Sequence, residues 1–148
     1  MKRTILYTIL AASMVLAGTS EKAFAQRSGQ KEYRDAVSLY ERGLYEQARV
    51  AFESIAAGKN DPMAEGYAVL CQEKMKTPGY EAAFDRYTDL YPYSALTPQV
   101  RYQYALNLFD EGDYKRAADY FAEVQEKQLP KSQRPEFIFK EAYSTFEI

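Results

Sequence analysis

Three observations predict an all-α fold of stacked helix-turn-helix units, about three and a half of them. Apolar residues recur at spacings of three and four through most of the chain after residue 30, and no segment alternates as a strand would. A tyrosine, alanine and aromatic triplet also returns in phase, as Tyr45, Ala48 and Phe52, then Tyr80, Ala83 and Tyr87, then Tyr114, Ala117 and Phe121. Each member moves by 35 residues and then by 34, the signature of a repeated supersecondary unit that buries its core against its neighbours.

The chain opens with an address. Lys2 and Arg3 precede an uncharged run over 4–18, and Ala23 and Ala25 stand at the −3 and −1 places of a cut after Ala25. This plan predicts a secretory signal over 1–25, too short in its apolar part to span a bilayer with ease. Thr19 follows Leu16-Ala17-Gly18 where a lipoprotein would need cysteine. Removal of 1–25 leaves 16 Lys+Arg against 20 Asp+Glu, a net charge of −4.

After a linker at 26–30, the periodicity predicts helices near 31–42, 44–57, 62–76, 79–91, 98–111, 113–128 and 135–147. They group into repeats at about 31–61, 62–96 and 97–130 and a partial one at 135–148. Gly43, Gly79 and Gly112 fall between the helices of each pair, where glycine can take the left-handed conformation that ends a helix. Pro62, Pro92, Pro98, Pro130 and Pro135 fall between pairs, ending a helix or occupying its first turn. A second series of small residues, Ala36, Cys71 and Ala105, keeps similar time upstream of the triplets. Paired helices approach closely only where such residues stand at the crossing, so these three are expected to face Ala48, Ala83 and Ala117. The lone cysteine then reads as a small buried hydrophobe.

Composition excludes most catalytic chemistry. Among 148 residues there is no His, no Trp and one Cys, against 14 Tyr and 8 Phe. That removes the imidazole base, the Ser-His and Cys-His pairs and the His- or Cys-rich zinc sites; a metal site would need carboxylates alone. Asp110-Glu111-Gly112-Asp113 lacks the alternating ligands of a calcium loop. No catalytic residue, cofactor or metal ligand is assigned, and the protein is not expected to be an enzyme. A net charge of −2 offers no basic footprint for nucleic acid.

With its thirty-four-residue period, the A-x3-F pattern at Ala48, Ala117 and, with tyrosine, Ala83, and the prolines Pro92 and Pro130, the chain resembles tetratricopeptide-repeat (TPR) proteins. Ala36, Ala48, Phe52, Cys71, Ala83, Tyr87, Ala105, Ala117 and Phe121 are its structural signature. The first-helix signature is thinner: the family's Trp is missing, Tyr67, Leu70 and Cys71 represent it in one repeat, and repeat two has Lys74 at an apolar place and Pro78 in its turn. With the export signal, the chain resembles the amino-terminal part of exported bacterial envelope TPR proteins.

That resemblance implies a right-handed superhelix whose first helices line a concave groove. By position the groove would present Tyr33, Val37 and Tyr40, then Ala68, Gln72 and Met75, then Tyr102, Leu106 and Phe109, then Phe139, Tyr143 and Phe146. An aromatic groove suits apolar anchors of a protein or peptide partner. The resemblance therefore implies a non-catalytic scaffold of the periplasm or outer-membrane periphery, in cell-envelope assembly or maintenance, with any outer-membrane association made through a partner. Two other readings accompany it: a carbohydrate-binding accessory module using stacked tyrosines, and a structural oligomer formed through 135–148. The last segment, rich in Phe, Tyr and Ile, lacks the polar face that usually closes an array. It is therefore expected to belong to a longer array or to pair with another subunit.

Overall fold

The computed structural model describes residues 27–148, and the expected export signal with its expected cut after Ala25 lies outside them. Within the described residues the fold is all-α, without strands, and its helices pack in sequential pairs. Helix α1 covers 27–41, α2 Tyr45–Lys59, α3 Pro62–Met75, α4 Tyr80–Leu90, α5 Thr97–Asp110, α6 Tyr114–Ala122 and α7 Arg134–Phe146. Each helix from α2 onward packs against its successor, α3 also lies against α5, and α5 against α7. The expected linker is already helical from residue 27. Its polar side chains support that turn, Ser28 Oγ donating to Glu32 Oε1 at 3.2 Å.

The helix ends follow from local chemistry. Gly43 and Gly112 take φ of +74° and +81°, where a Cβ would be strained. Their amides donate to the carbonyls of Tyr40 and Phe109, and the next amides, of Leu44 and Asp113, to Leu39 and Leu108. Both turns thus close α1 and α5 in the same way. The α3–α4 turn departs from this. The left-handed residue that ends α3 is Lys76, three residues before Gly79, and its amide and that of Thr77 donate to Glu73 and Gln72. Pro78 lies in the lengthened turn, and Gly79 serves instead as the N-cap of α4. Asp61 caps α3, its Oδ1 accepting from the amides of Met63 and Ala64 at 2.9 and 3.3 Å, with Pro62 supplying the first turn.

The predicted helix over 113–128 is shorter than expected. α6 stops at Ala122, and after an extended Gln125 a single 3₁₀ turn spans Glu126–Gln128. The break allows Val124 and Leu129 both to turn inward and be buried. Arg134 then ties the segment down, donating to the carbonyls of Leu129 and Lys127 at 3.1 and 3.2 Å.

Two apolar clusters form the core. One gathers Ala36, Ala48, Phe52, Ala64, Ala68 and Cys71, with Tyr33, Tyr40 and Tyr67 packed on it. The other runs from Leu70 and Phe84 through Tyr104, Ala105 and Ala117 to Phe121 and Phe137. Flat stacking occurs in both, Phe52 on Tyr67 at 4.7 Å between ring centroids and Phe84 on Tyr104 at 4.0 Å. The expected crossings of Ala36 with Ala48 and of Ala105 with Ala117 join residues buried within one cluster. For Cys71 and Ala83, expected to face each other, the clusters differ. Cys71 packs into the cluster shared by α1, α2 and α3, while Ala83 is half-buried at a cleft of about 240 Å³ among α2, α3 and α4 and packs on the other cluster. α3 leans on both neighbours, so its small residues are divided between them.

Candidate partner-binding surface

α5 is buried on nearly every side, which decides the fate of the groove expected along it. Tyr102 is 1 % exposed and Leu106 is also buried, so neither lines an open surface. Tyr102 packs against Phe121 and Phe137, and its hydroxyl donates to Glu136 Oε2 at 3.1 Å. Burial and then the Glu136 charge push its phenol well above the ordinary value, so it stays a donor. Tyr33, Val37 and Tyr40 are half-buried in the α1–α3 packing, with Tyr33 edge-on to Phe52 at 5.7 Å and Tyr40 edge-on to Tyr67 at 5.3 Å. Desolvation pushes the Tyr33 phenol up to about 12. Ala68 is core, Met75 is half-buried near the α1–α2 turn, and Gln72 lines the α2–α4 cleft. These residues hold helices together.

Phe109 and Tyr143 mark the edge of this interior. With Tyr114 they form a three-ring cluster in which every pair is edge-on at 5.3–5.6 Å. Lys140 Nζ lies 4.8 Å from the Phe109 ring centroid and reaches Asp110 Oδ1 at 3.1 Å and Glu136 Oε1 at 3.3 Å. Cation, rings and carboxylates together fasten α7 onto α5.

The opposite side of α7 is open. Ile138, Phe139 and Phe146 are exposed, Phe139 by 62 % and Phe146 by 84 %, with Tyr143 partly exposed at the rim where it meets Phe109 and Tyr114, while Phe137 and Ser144 on the other side are buried. With the exposed Ala142 they occupy successive places on one helical face, the arrangement an amphipathic helix uses against a partner. Of the residues expected in the groove, Phe139, Tyr143 and Phe146 are thus accessible, and the candidate surface lies on this face.

A second apolar hollow of about 480 Å³ was not expected from the sequence. It lies between the start of α3, at Pro62 and Met63, and the α4–α5 connection, at Leu90, Tyr91, Pro92 and Tyr93. Tyr93 is almost wholly exposed. The signal was available in Leu90-Tyr91-Pro92-Tyr93, an apolar run in a connection where polar residues are the rule.

Sequence reasoning also missed a row of polar contacts between alternate helices. Gln99 Nε2 donates to Gln133 Oε1 at 2.9 Å, Tyr102 to Glu136, and Asn107 Nδ2 to the Glu73 carbonyl at 3.0 Å. Each pair is separated by 34 residues, the period of the sequence pattern, and these bonds fix the register of α3, α5 and α7. The buried pair Gln103 and Asn107, bonded to each other at 3.2 Å, was its visible trace on an otherwise apolar helix.

Among the described residues no three His, Cys, Asp or Glu side chains gather as a metal-holding group, and no helix is long and apolar enough to cross a membrane. No family model matches this chain. The search of curated proteins and the search of solved structures likewise find no match.

Proposed function

We infer that the chain is an exported, non-catalytic TPR scaffold of the cell envelope, its repeats wound as a right-handed superhelix, that binds a protein or peptide partner through the apolar face of α7. The observation that carries the binding site is the row Ile138, Phe139 and Phe146, exposed on a helix whose other side is fastened to α5 by Lys140 and, at the rim, by Tyr143. Contacts of α3 with α5 and of α5 with α7, and hydrogen bonds one repeat apart, support the repeat reading. An apolar helix or extended segment of the partner would cover the rings, and Tyr143 would offer its hydroxyl to that partner's backbone. Burying two large aromatic side chains contributes roughly 1.5–3 kcal/mol each before the costs of association.

The same face favours a second reading, self-association through 135–148. The double substitution Phe139→Asp with Phe146→Asp separates stability from binding, because both rings point away from the core. The expected outcome is an unchanged melting temperature with loss of the partner from affinity purification, or of the dimer in light scattering. Retention of both partner and oligomeric state in the folded double variant would refute the assignment of this face.

A further inference from the structure

Glu73 is a fully buried carboxyl that binding does not use. It is 0 % exposed, and among the described residues neither carboxylate oxygen has a hydrogen-bond partner. A buried carboxyl without partners is costly in its charged form and far less so when protonated. Its place in the fold is a joint. Glu73 sits one turn from the end of α3, and its backbone carbonyl accepts both from Asn107 Nδ2 of α5 and from the amide of Lys76, the residue that terminates α3. The bond that fixes α3 against α5 and the bond that ends α3 therefore meet on the residue whose side chain is unpaired.

The surroundings offer little to stabilise a negative charge. Tyr40 of α1 and Tyr80 of α4 stand near enough to feel the carboxylate, and both phenols are raised, chiefly by burial. From α5 the neighbour is the neutral amide Asn107. Among the described residues Lys74 is the one charged neighbour acting appreciably on Glu73; burial holds its own ammonium below the ordinary value, and its attraction is smaller than the effect of burial on Glu73. Burial accordingly pushes the Glu73 carboxyl well above the usual carboxylate range.

We propose that Glu73 is a proton-operated latch at the joint between α3 and α5: the neutral carboxyl lets the two helices close, and its ionisation loosens them. The proton leaves to solvent, and the carboxylate gains hydration as α3 lifts from α5. The direction follows from linkage. The folded state holds this proton more tightly than the unfolded chain does, so the stabilisation is complete below the unfolded value, near about pH 4.3. It is lost as pH rises from there through the folded value, which makes the latch weaker on the alkaline side.

Glu73→Gln keeps the shape and removes the titration, so the test compares it with the wild-type chain. Between pH 5.5 and 8.5 the wild-type melting temperature should fall by at least about 5 °C relative to the variant. Cys71 supplies a second readout. It lies two residues away, fully buried, with its thiol pushed up to about 12 by burial. Alkylation of Cys71 at equal pH should therefore become faster in the wild type than in the variant as pH rises. Parallel melting curves, or a labelling ratio independent of pH, would overturn the latch. Should the variant fail to fold, the carboxyl carbon-13 shift of Glu73 in the wild type decides. A titration midpoint above about pH 6 supports the proposal, and one at or below it overturns it.

Discussion

Glycine at position 66 shows how one missing methyl can set a helix packing. A Cβ built there would lie 2.5 Å from Tyr87 Oη and 2.7 Å from Leu96 Cδ2. The ring cannot swing aside cheaply, since its hydroxyl donates to the Pro62 carbonyl at 3.1 Å or to Ser94 Oγ at 3.0 Å. Gly66→Ala gains about 1 kcal/mol of helix propensity but meets an overpacking cost of about 1–3 kcal/mol. A net loss of stability is expected in a denaturant melt, whereas at an open helical site the same change would stabilise. Tyr87 was legible in the sequence as the aromatic of the second triplet, but the need for glycine opposite it was not. The spacing of apolar residues marks which side of a helix is buried without showing which atom of a neighbouring ring approaches it. Glu73 and the Gln103–Asn107 pair were hidden for a related reason: polar residues on a helix read as solvated until the packing of a third helix is known.

At the scale of elements, periodicity located seven helices, and their ends depended on chemistry of unequal visibility. Gly43 and Gly112 announced their turns. The end of α3 at Lys76 was not announced, since lysine rarely adopts the left-handed conformation, here with φ of +48°. The shortening of α6 was also unreadable, because Tyr114–Val124 keeps helical spacing and the break depends on Val124 and Leu129 finding burial in the tertiary structure. Asp61, just before Pro62, is a cap with a defined role. Asp61→Ala removes the acceptor for two amides of α3 and should cost about 0.5–2 kcal/mol in thermal or chemical unfolding. An unchanged stability would mean that water satisfies those amides equally well.

For the molecule as a whole, the arrangement divides the aromatic residues by task. Most of them join helices: Tyr33 and Tyr40 to Tyr67, Phe84 to Tyr104, Tyr102 to Phe121 and Phe137. The resemblance to TPR arrays implied a groove along the first helices, and burial of Tyr102 and Leu106 closes the middle of it. The face of α7 that stays open supplies the proposed binding surface. The central claim is that this face, and not the outer side of the paired helices, meets the partner. Site-specific photo-crosslinking in the native envelope tests it most directly, with the probe at Phe139 and a control at the exposed Lys127. Capture of one discrete protein from Phe139 and none from Lys127 is the predicted result; equal capture from both positions, or none from Phe139, would contradict it.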